Sequence, residues 1–293
     1  MNIINNIKDV ALIFEGGGMR ASYTAGFANN LLENEIYFDY VAGISAGASL
    51  SVNYLSRDIT RTKRSFVDLV RDEKFGGWRS FLKGEGFFRS HYIYEETPNV
   101  DASLPFDWQT FSANPAQIRI GAYKRDEGEM VYFTKNDMQS MQELMKIVRS
   151  SSSLPIFMPP TYYQGDYYID GGVSGGIALD IAQKDGFKKF FVVLSQEKGY
   201  RKSPVKSKNF IKAYYRKYPH ACEAMLKRHN AYNKTLEELE ELERQGKAFL
   251  VYPDRMPVSN RELKFERLSE SYDAGYRQGK RDLHKWKEFL QIE

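Results

Sequence analysis

Cysteine is almost absent from this chain. Cys222 is the only one, so no intramolecular disulfide can form and no cysteine cluster can hold a metal. Long hydrophobic runs are missing too: no apolar stretch approaches the roughly 20 residues that a membrane-spanning helix needs. Neither sign of charge dominates, since 42 Lys and Arg against 38 Asp and Glu leave a net charge of +4. Spread along the chain, that excess can favour anionic lipid headgroups but is far too weak to argue for nucleic acid. The first nine residues, Met1 to Asp9, are polar and run straight into an apolar strand, without the apolar core of a secretory leader. The expectation is a cytoplasmic protein, with at most a peripheral place at a membrane.

What is present is ordinary in bulk and specific in detail. At 293 residues the chain can bury a sizeable core as one large α/β domain or two small ones. Its 42% hydrophobic and 27% charged residues are those of a globular protein. Tyrosine and phenylalanine are plentiful, 20 and 19 residues, which suits cores and also surfaces that meet something half apolar.

Strand and helix signals alternate along the first half. Val10 to Phe14 is a short continuous apolar run of the kind buried on both faces of a sheet. Three glycines follow, then a helical stretch from Ala21 to Leu32. A second short strand, Tyr40 to Ala42, leads into Gly43-Ile44-Ser45-Ala46-Gly47 and a helix to about Leu55. Such alternation implies parallel strands with right-handed crossovers. Gln117–Tyr123 and Met130–Phe133 can pair across the turn at Asp126–Gly128, and Asn136 or Asp137 caps a helix to Val148. Tyr162–Gln164 and Tyr167–Ile169 flank Gly165-Asp166 as a hairpin that delivers Asp170 at its far end. Lys189 to Leu194 is another buried strand. Thr235 and Glu238 form a capping box for a helix ended by Gly246, Ala248 to Tyr252 is a last strand, and Leu268 to Leu290 a closing helix. The aromatic, glycine-containing stretch Lys74 to Tyr94 reads as a packed subdomain, with a mobile cap as its rival. The expected architecture is a three-layer α/β/α fold with a central, mostly parallel sheet. Residues 8–200 form the catalytic domain, and 201–293 a helical C-terminal extension that returns a last strand to it.

Three glycine-rich motifs carry the chemistry. Gly43-Ile44-Ser45-Ala46-Gly47 matches G-x-S-x-G, in which a sharp strand-to-helix turn pushes the serine out at the top of a sheet. Gly16-Gly17-Gly18-Met19-Arg20 lies between a strand and a helix, where successive N–H groups can converge on an oxyanion. The six residues from Gly16 to Ala21 also fit the G-x-G-x-x-A of a dinucleotide loop. That reading needs an acid at the end of the second strand, which here ends in Gly43 and Ser45, with Asp39 before it. Asp170-Gly171-Gly172 is by itself only a turn signal, but gains weight from standing third in a series of motifs, each at a strand end. A Ser–His–Asp triad would draw on His91, His220, His229 or His284. None has a recognisable loop context, and surface or structural roles are favoured for all four.

Taken together, the three motifs resemble the signatures of patatin-like phospholipases. Ser151-Ser152-Ser153-Leu154-Pro155-Ile156-Phe157-Met158-Pro159-Pro160 is similar to the family's Ser- and Pro-rich segment. Tyr252-Pro253 and Tyr272-Asp273-Ala274-Gly275-Tyr276 look like the tail of a bacterial subgroup. The likeness runs from about Val10 to Arg281, and Gly172 stands where many members have Ala. The resemblance implies a Ser–Asp dyad, with Ser45 as nucleophile and Asp170 accepting its proton, and an oxyanion hole drawn from Gly16, Gly17, Gly18 and Met19. It also implies supporting roles for Arg20, Gly43, Gly47, Gly171 and Gly172. Arg20 would orient the glycine loop or meet a lipid phosphate. No metal or cofactor is called for. The implied activity is acyl-ester hydrolysis of phospholipase A or lysophospholipase type, through an acyl-enzyme. A non-catalytic lipid-binding protein and an acyltransferase are the alternatives on the same fold. The implied partners are a lipid or other acyl-ester substrate and a peripheral membrane contact; oligomeric state is left open.

Overall fold

The computed structural model of the chain describes residues 3–292. Its strands are β1 (Val10–Phe14), β2 (Tyr40–Ile44), β3 (Gln117–Lys124), β4 (Met130–Phe133), β5 (Thr161–Tyr163), β6 (Asp166–Asp170), β7 (Lys189–Val193) and β8 (Ala248–Val251). Its helices are α1 (Ala21–Glu33), α2 (Ala46–Leu55), α3 (Ile59–Phe66), α4 (Trp78–Leu82), α5 (Trp108–Ala113), α6 (Met141–Ser152), α7 (Leu179–Lys184), α8 (Lys208–Tyr214), α9 (Pro219–Arg244) and α10 (Phe265–Leu290). One sheet runs β5-β6-β3-β2-β1-β7-β8, with β4 also paired to β3. The pairs from β3 to β8 through β2, β1 and β7 are parallel, and β4, β5 and β6 join antiparallel.

The continuous apolar runs are explained by burial on both faces. Leu12, Phe14, Val41, Phe191 and Val193 feed one core, and the alternate residues Ala11, Ile13, Ala42, Phe190 and Val192 feed another. That period of two places one core on each side of the sheet. On the first side α1, α2, α6 and α10 cover it, with Phe27 and Trp286 packed edge to face. On the second side α7 and α9 supply Leu179, Ala182, Tyr232, Leu236 and Leu239. The result is a three-layer α/β/α fold with a helical C-terminal region, as expected from the sequence.

Several local expectations shift. Thr235 does not start a helix: α9 begins at Pro219, with proline at its first turn, and runs through to Arg244. Within that helix the Thr235 hydroxyl donates to the Ala231 carbonyl, because no unpaired N–H group is left there to cap. The cap proposed at Asn136 or Asp137 belongs instead to a short 3₁₀ turn closed by a Thr134–Asp137 box, and Ser140 caps α6 by accepting from the Glu143 N–H. The β5–β6 turn is Gln164-Gly165, not Gly165-Asp166. Both turn residues have positive φ, 48° and 94°, as a two-residue turn between twisted strands demands.

The register sets up the site. Ile44 stands opposite Gly121, and Asp170 opposite Ala122. Ser45, which follows Ile44, and Asp170 therefore lie level with each other on either side of β3.

Candidate active site

Ser45 occupies the turn between β2 and α2 at φ 59° and ψ −125°, a conformation that a non-glycine residue keeps only when its surroundings enforce it. Two contacts enforce it here. A Cβ on Gly43 would lie 2.3 Å from the Gly47 carbonyl oxygen, and a Cβ on Gly47 would lie 2.1 Å from that of Phe14. Chains this close leave room only for glycine. The Ser45 N–H donates to Ser151 Oγ (2.8 Å), and the Ser151 hydroxyl donates to the Gly121 carbonyl (2.6 Å).

The Ser45 hydroxyl donates directly to Asp170 Oδ2 at 2.5 Å, and both residues are buried, 6% and 3% exposed. The second carboxylate oxygen, Oδ1, accepts from the Gly172 N–H at 2.6 Å, and the Asp170 N–H donates to the Ser153 carbonyl at 2.8 Å. The serine run thus holds both residues, Ser45 through Ser151 and Asp170 through Ser153. Burial pushes the Asp170 carboxyl pKa up. The hydrogen bonds from Ser45 and Gly172, and the positive charges of Arg228 and Lys202, pull it back only in part.

The glycine loop lies beside this pair. Gly18 has φ 55°. The Gly16 N–H donates to the Gly176 carbonyl (3.0 Å) and the Met19 N–H to that of Asn260 (3.1 Å). Among the described residues no acceptor meets the Gly17 or Gly18 N–H. Of the four residues expected at an oxyanion hole, these two keep free donors. Arg20 is tied to the end of β7, through Nε to the Ser195 carbonyl (3.1 Å) and through a terminal nitrogen to Ser195 Oγ (3.5 Å). Glu15, buried at the end of β1, accepts from the Ser195 N–H (2.6 Å) and from the Tyr232 hydroxyl (2.9 Å). Asp39, the acid a dinucleotide loop would need, lies before β2 and accepts from Asn5.

Below Ser45 opens an apolar pocket of about 740 Å³, counting its mouth, with Phe75, Phe88, Met145 and Met158 in its wall. Phe75, Phe87 and Phe88 from the aromatic stretch are buried and stacked edge to face, while Trp78 (60%) and Leu82 (84%) on α4 are exposed. Arg61, buried in the pocket's wall, donates to Asn53 Oδ1 and the Pro105 carbonyl. Burial lowers its pKa to about 10.

No histidine hydrogen-bonds Ser45 or Asp170 among the described residues. His91 lies near Glu95 and Glu96, and the His284 ring bonds the Arg281 carbonyl. No three His, Cys, Asp or Glu side chains among the described residues are grouped to hold a metal ion, and no described helix is long and apolar enough to cross a membrane.

Sequence reasoning named the serine, the aspartate and the glycines. It did not single out Glu15, Ser195, Lys202, Arg228 or Tyr232, and it noted Ser151 only within a serine-rich run. Ser195 had one available signal, since it directly follows a buried strand at the carboxyl end of a parallel sheet, where sites of such folds lie.

A carboxylate-paired serine at a strand-to-helix elbow, above an apolar pocket, defines a class of α/β/α proteins. Residues 12–182, more than half of the chain, match the model of the patatin-like phospholipase family, and the chain belongs to that family. Residues 218–291 match a second model, described as a domain of unknown function, DUF6363. Among relatives, the uncharacterized protein YjjU of Escherichia coli (strain K12) is 27% identical over 198 residues, which cover 63% of this chain and 51% of that protein. The probable lipid hydrolase 463L of Invertebrate iridescent virus 6 is 27% identical over 194 residues, covering 61% and 64%. The chain thus spans between half and two thirds of the length of these relatives. VipD from Legionella pneumophila shares the fold with a TM-score of 0.53 at 14% identity, over 94% of this chain and 67% of that one.

Proposed function

We propose that the protein hydrolyses lipid acyl esters, in the manner of a phospholipase A or lysophospholipase, with Ser45 as nucleophile and Asp170 as its base. The observation that carries this reading is the direct 2.5 Å hydrogen bond between them above an apolar pocket. Membership of the patatin-like phospholipase family supports it. An acyl chain lies in the pocket and presents its ester carbonyl to Ser45 Oγ. As Oγ attacks the carbonyl carbon, its proton passes to Asp170 Oδ2. The negative charge that develops on the carbonyl oxygen meets the Gly17 and Gly18 N–H groups and the amino end of α2. Collapse of this tetrahedral intermediate breaks the ester bond, and the departing alcohol takes the proton from Asp170. Water then attacks the acyl-enzyme, Asp170 accepts its proton, and the fatty acid leaves as Ser45 is reprotonated.

A carboxylate is a weak base for a serine hydroxyl, so the raised pKa of Asp170 works in favour of proton transfer. Exposed Trp78 and Leu82, with Arg79 and Lys83 beside them, give the pocket's aromatic flank a surface suited to peripheral contact with an anionic lipid layer.

Fluorophosphonate labelling of the wild type, Ser45→Ala and Asp170→Asn tests the reading. Labelling is expected in the wild type, absent in Ser45→Ala and greatly weakened in Asp170→Asn. A folded wild type that does not label would leave a lipid-binding protein as the better description. Transfer of a labelled acyl group to added glycerol in preference to water would identify an acyltransferase.

A further inference from the structure

Two cations, Lys202 in the segment after β7 and Arg228 on α9, lie close enough to Asp170 to pull its pKa down, and neither is in the wall of the apolar pocket. Lys202 is clamped to α9 by a reciprocal pair of bonds: its N–H donates to Asn233 Oδ1 (2.8 Å), and Asn233 Nδ2 donates to its carbonyl (3.0 Å). Its ammonium stands 4.1 Å from the centre of the Tyr232 ring. Arg228 lies one turn before Tyr232 on α9, beside the turn that follows Asp170. There a Cβ on Gly175 would lie 3.8 Å from the Ala231 carbonyl carbon and the Tyr232 nitrogen.

Among the described residues these cations lack acidic partners. Arg228 Nε is buried with no hydrogen-bond partner among the described residues. Among the described residues, no ion pair within 4.0 Å includes Arg20, Lys202 or Arg228. The two acids nearby already bond neutral donors at both oxygens: Glu15 to the Ser195 N–H and the Tyr232 hydroxyl, Asp170 to Ser45 and the Gly172 N–H. Buried or half-buried like charges without an anion are costly. Burial, followed by Arg228 and then Arg20 among the repulsive neighbours, lowers the Lys202 pKa to about 7, although Glu15 and Asp170 oppose the shift. Burial likewise lowers that of Arg228.

We propose that Lys202 and Arg228 form a subsite for a phosphate group on the alcohol portion of the substrate, so that the preferred ester is a phosphate-bearing lipid. A phosphate monoester offers several acceptor oxygens and more than one negative charge, which match an ammonium and a planar guanidinium that no carboxylate pairs among the described residues. The position fits as well. The acyl chain occupies the pocket on one side of Ser45, which leaves the α9 side for the alcohol. The proposal rests on the hydrolase reading, and it assigns the C-terminal segment a share in substrate choice.

The test uses the full chain and two esters that carry the same acyl group, lysophosphatidic acid and monoacylglycerol. Wild type is expected to favour the phosphate lipid in kcat/KM by about tenfold or more, the equivalent of one charge-assisted hydrogen bond. In Arg228→Gln and Lys202→Gln that ratio falls towards one, mostly through KM, while Arg228→Lys retains part of it. Inorganic phosphate is expected to compete with lysophosphatidic acid and to bind wild type in calorimetry, but not the double variant. A wild-type ratio near one overturns the proposal, even where inorganic phosphate binds, because the site would then serve free phosphate. So does an unchanged ratio in a double variant whose thermal unfolding is normal. Failure of Ser45 to label with fluorophosphonate would sink the hydrolase reading instead. In that case phosphate binding lost in the double variant would still establish the anion site, and absence of binding would remove it.

Discussion

At the scale of single residues, the site depends on a few short hydrogen bonds between buried groups. Ser151 joins the Ser45 N–H to the Gly121 carbonyl. Ser151→Ala leaves both without a partner and should cost about 1–3 kcal/mol of stability. On the proposed mechanism, letting Ser45 drift should also lower kcat about tenfold or more. Steady-state kinetics and urea unfolding would show this, with Ser151→Thr restoring part of the rate; an unchanged kcat would remove Ser151 from the positioning machinery. For Asp170, burial outweighs the hydrogen bonds from Ser45 and Gly172 and the positive charges of Arg228 and Lys202, so its pKa lies above the ordinary 3.8. As the proposed base, Asp170 must be ionised to act, so the acid limb of the kcat/KM profile should fall at a higher pH than an ordinary carboxylate would give. Arg228→Gln should move it higher still. The same shift has a sign for stability. A carboxyl whose pKa rises on folding destabilises the fold once ionised. That cost is absent below about 3.8 and complete above the folded pKa. Asp170→Asn is therefore expected to unfold at a higher temperature than the wild type near pH 7 but not near pH 3, which calorimetry at the two pH values would reveal.

Among elements, the β1, β2 and α2 junction is the most constrained. Phe14, Gly43 and Gly47 approach within distances that exclude a side chain, so Gly47→Ala should destabilise the protein by about 3 kcal/mol as the chains are forced apart. Chemical unfolding would measure it, and a cost well under 1 kcal/mol would mean that the turn can relax. This junction was legible in the sequence because G-x-S-x-G describes a local turn whose sterics involve residues close in the chain, joined only by β1. The start of α9 was not. Thr235 and Glu238 have the residue types of a capping box, but a cap acts only where N–H groups lack carbonyls four residues earlier, and α9 provides those carbonyls from Pro219 onward. Packing of a long helix across β7 and β8 outweighed a local signal that would have sufficed for an isolated segment.

The whole molecule joins its two sequence regions into one set of cores. β8 pairs in parallel with β7, Trp286 of α10 packs against Phe27 and Phe191, and Gly26 and Gly275 bring α1 and α10 close enough for a Cβ on Gly275 to lie 2.1 Å from the Tyr23 carbonyl oxygen. We propose that residues 8–200 and 201–293 fold as a single cooperative unit. Truncation after residue 200 would expose the β7 edge and the apolar face of α1. The shortened chain should be aggregated or unfolded by circular dichroism and gel filtration. A folded, labelling-competent 1–200 fragment would show that the boundary separates independent domains. The asymmetry within the site follows from this arrangement: the first region supplies Ser45, Asp170 and the glycine loop, and α9 and its preceding loop supply Arg228 and Lys202.

The sequence by itself determined the alternation of strands and helices, the elbow at Ser45, the glycine loop and the turn at Asp170, because each is written in adjacent residues through sterics and turn chemistry. Only the tertiary structure decided which donors remain free. The Met19 N–H is taken by Asn260 and the Gly16 N–H by Gly176, while among the described residues Gly17 and Gly18 keep theirs. It also decided that Lys202 and Arg228, 157 and 183 positions after Ser45 in the chain, come near Asp170 without an ion pair among the described residues. Hydrogen-bond satisfaction and charge pairing are properties of neighbours in space, and those neighbours come from elements that meet only when the sheet is complete.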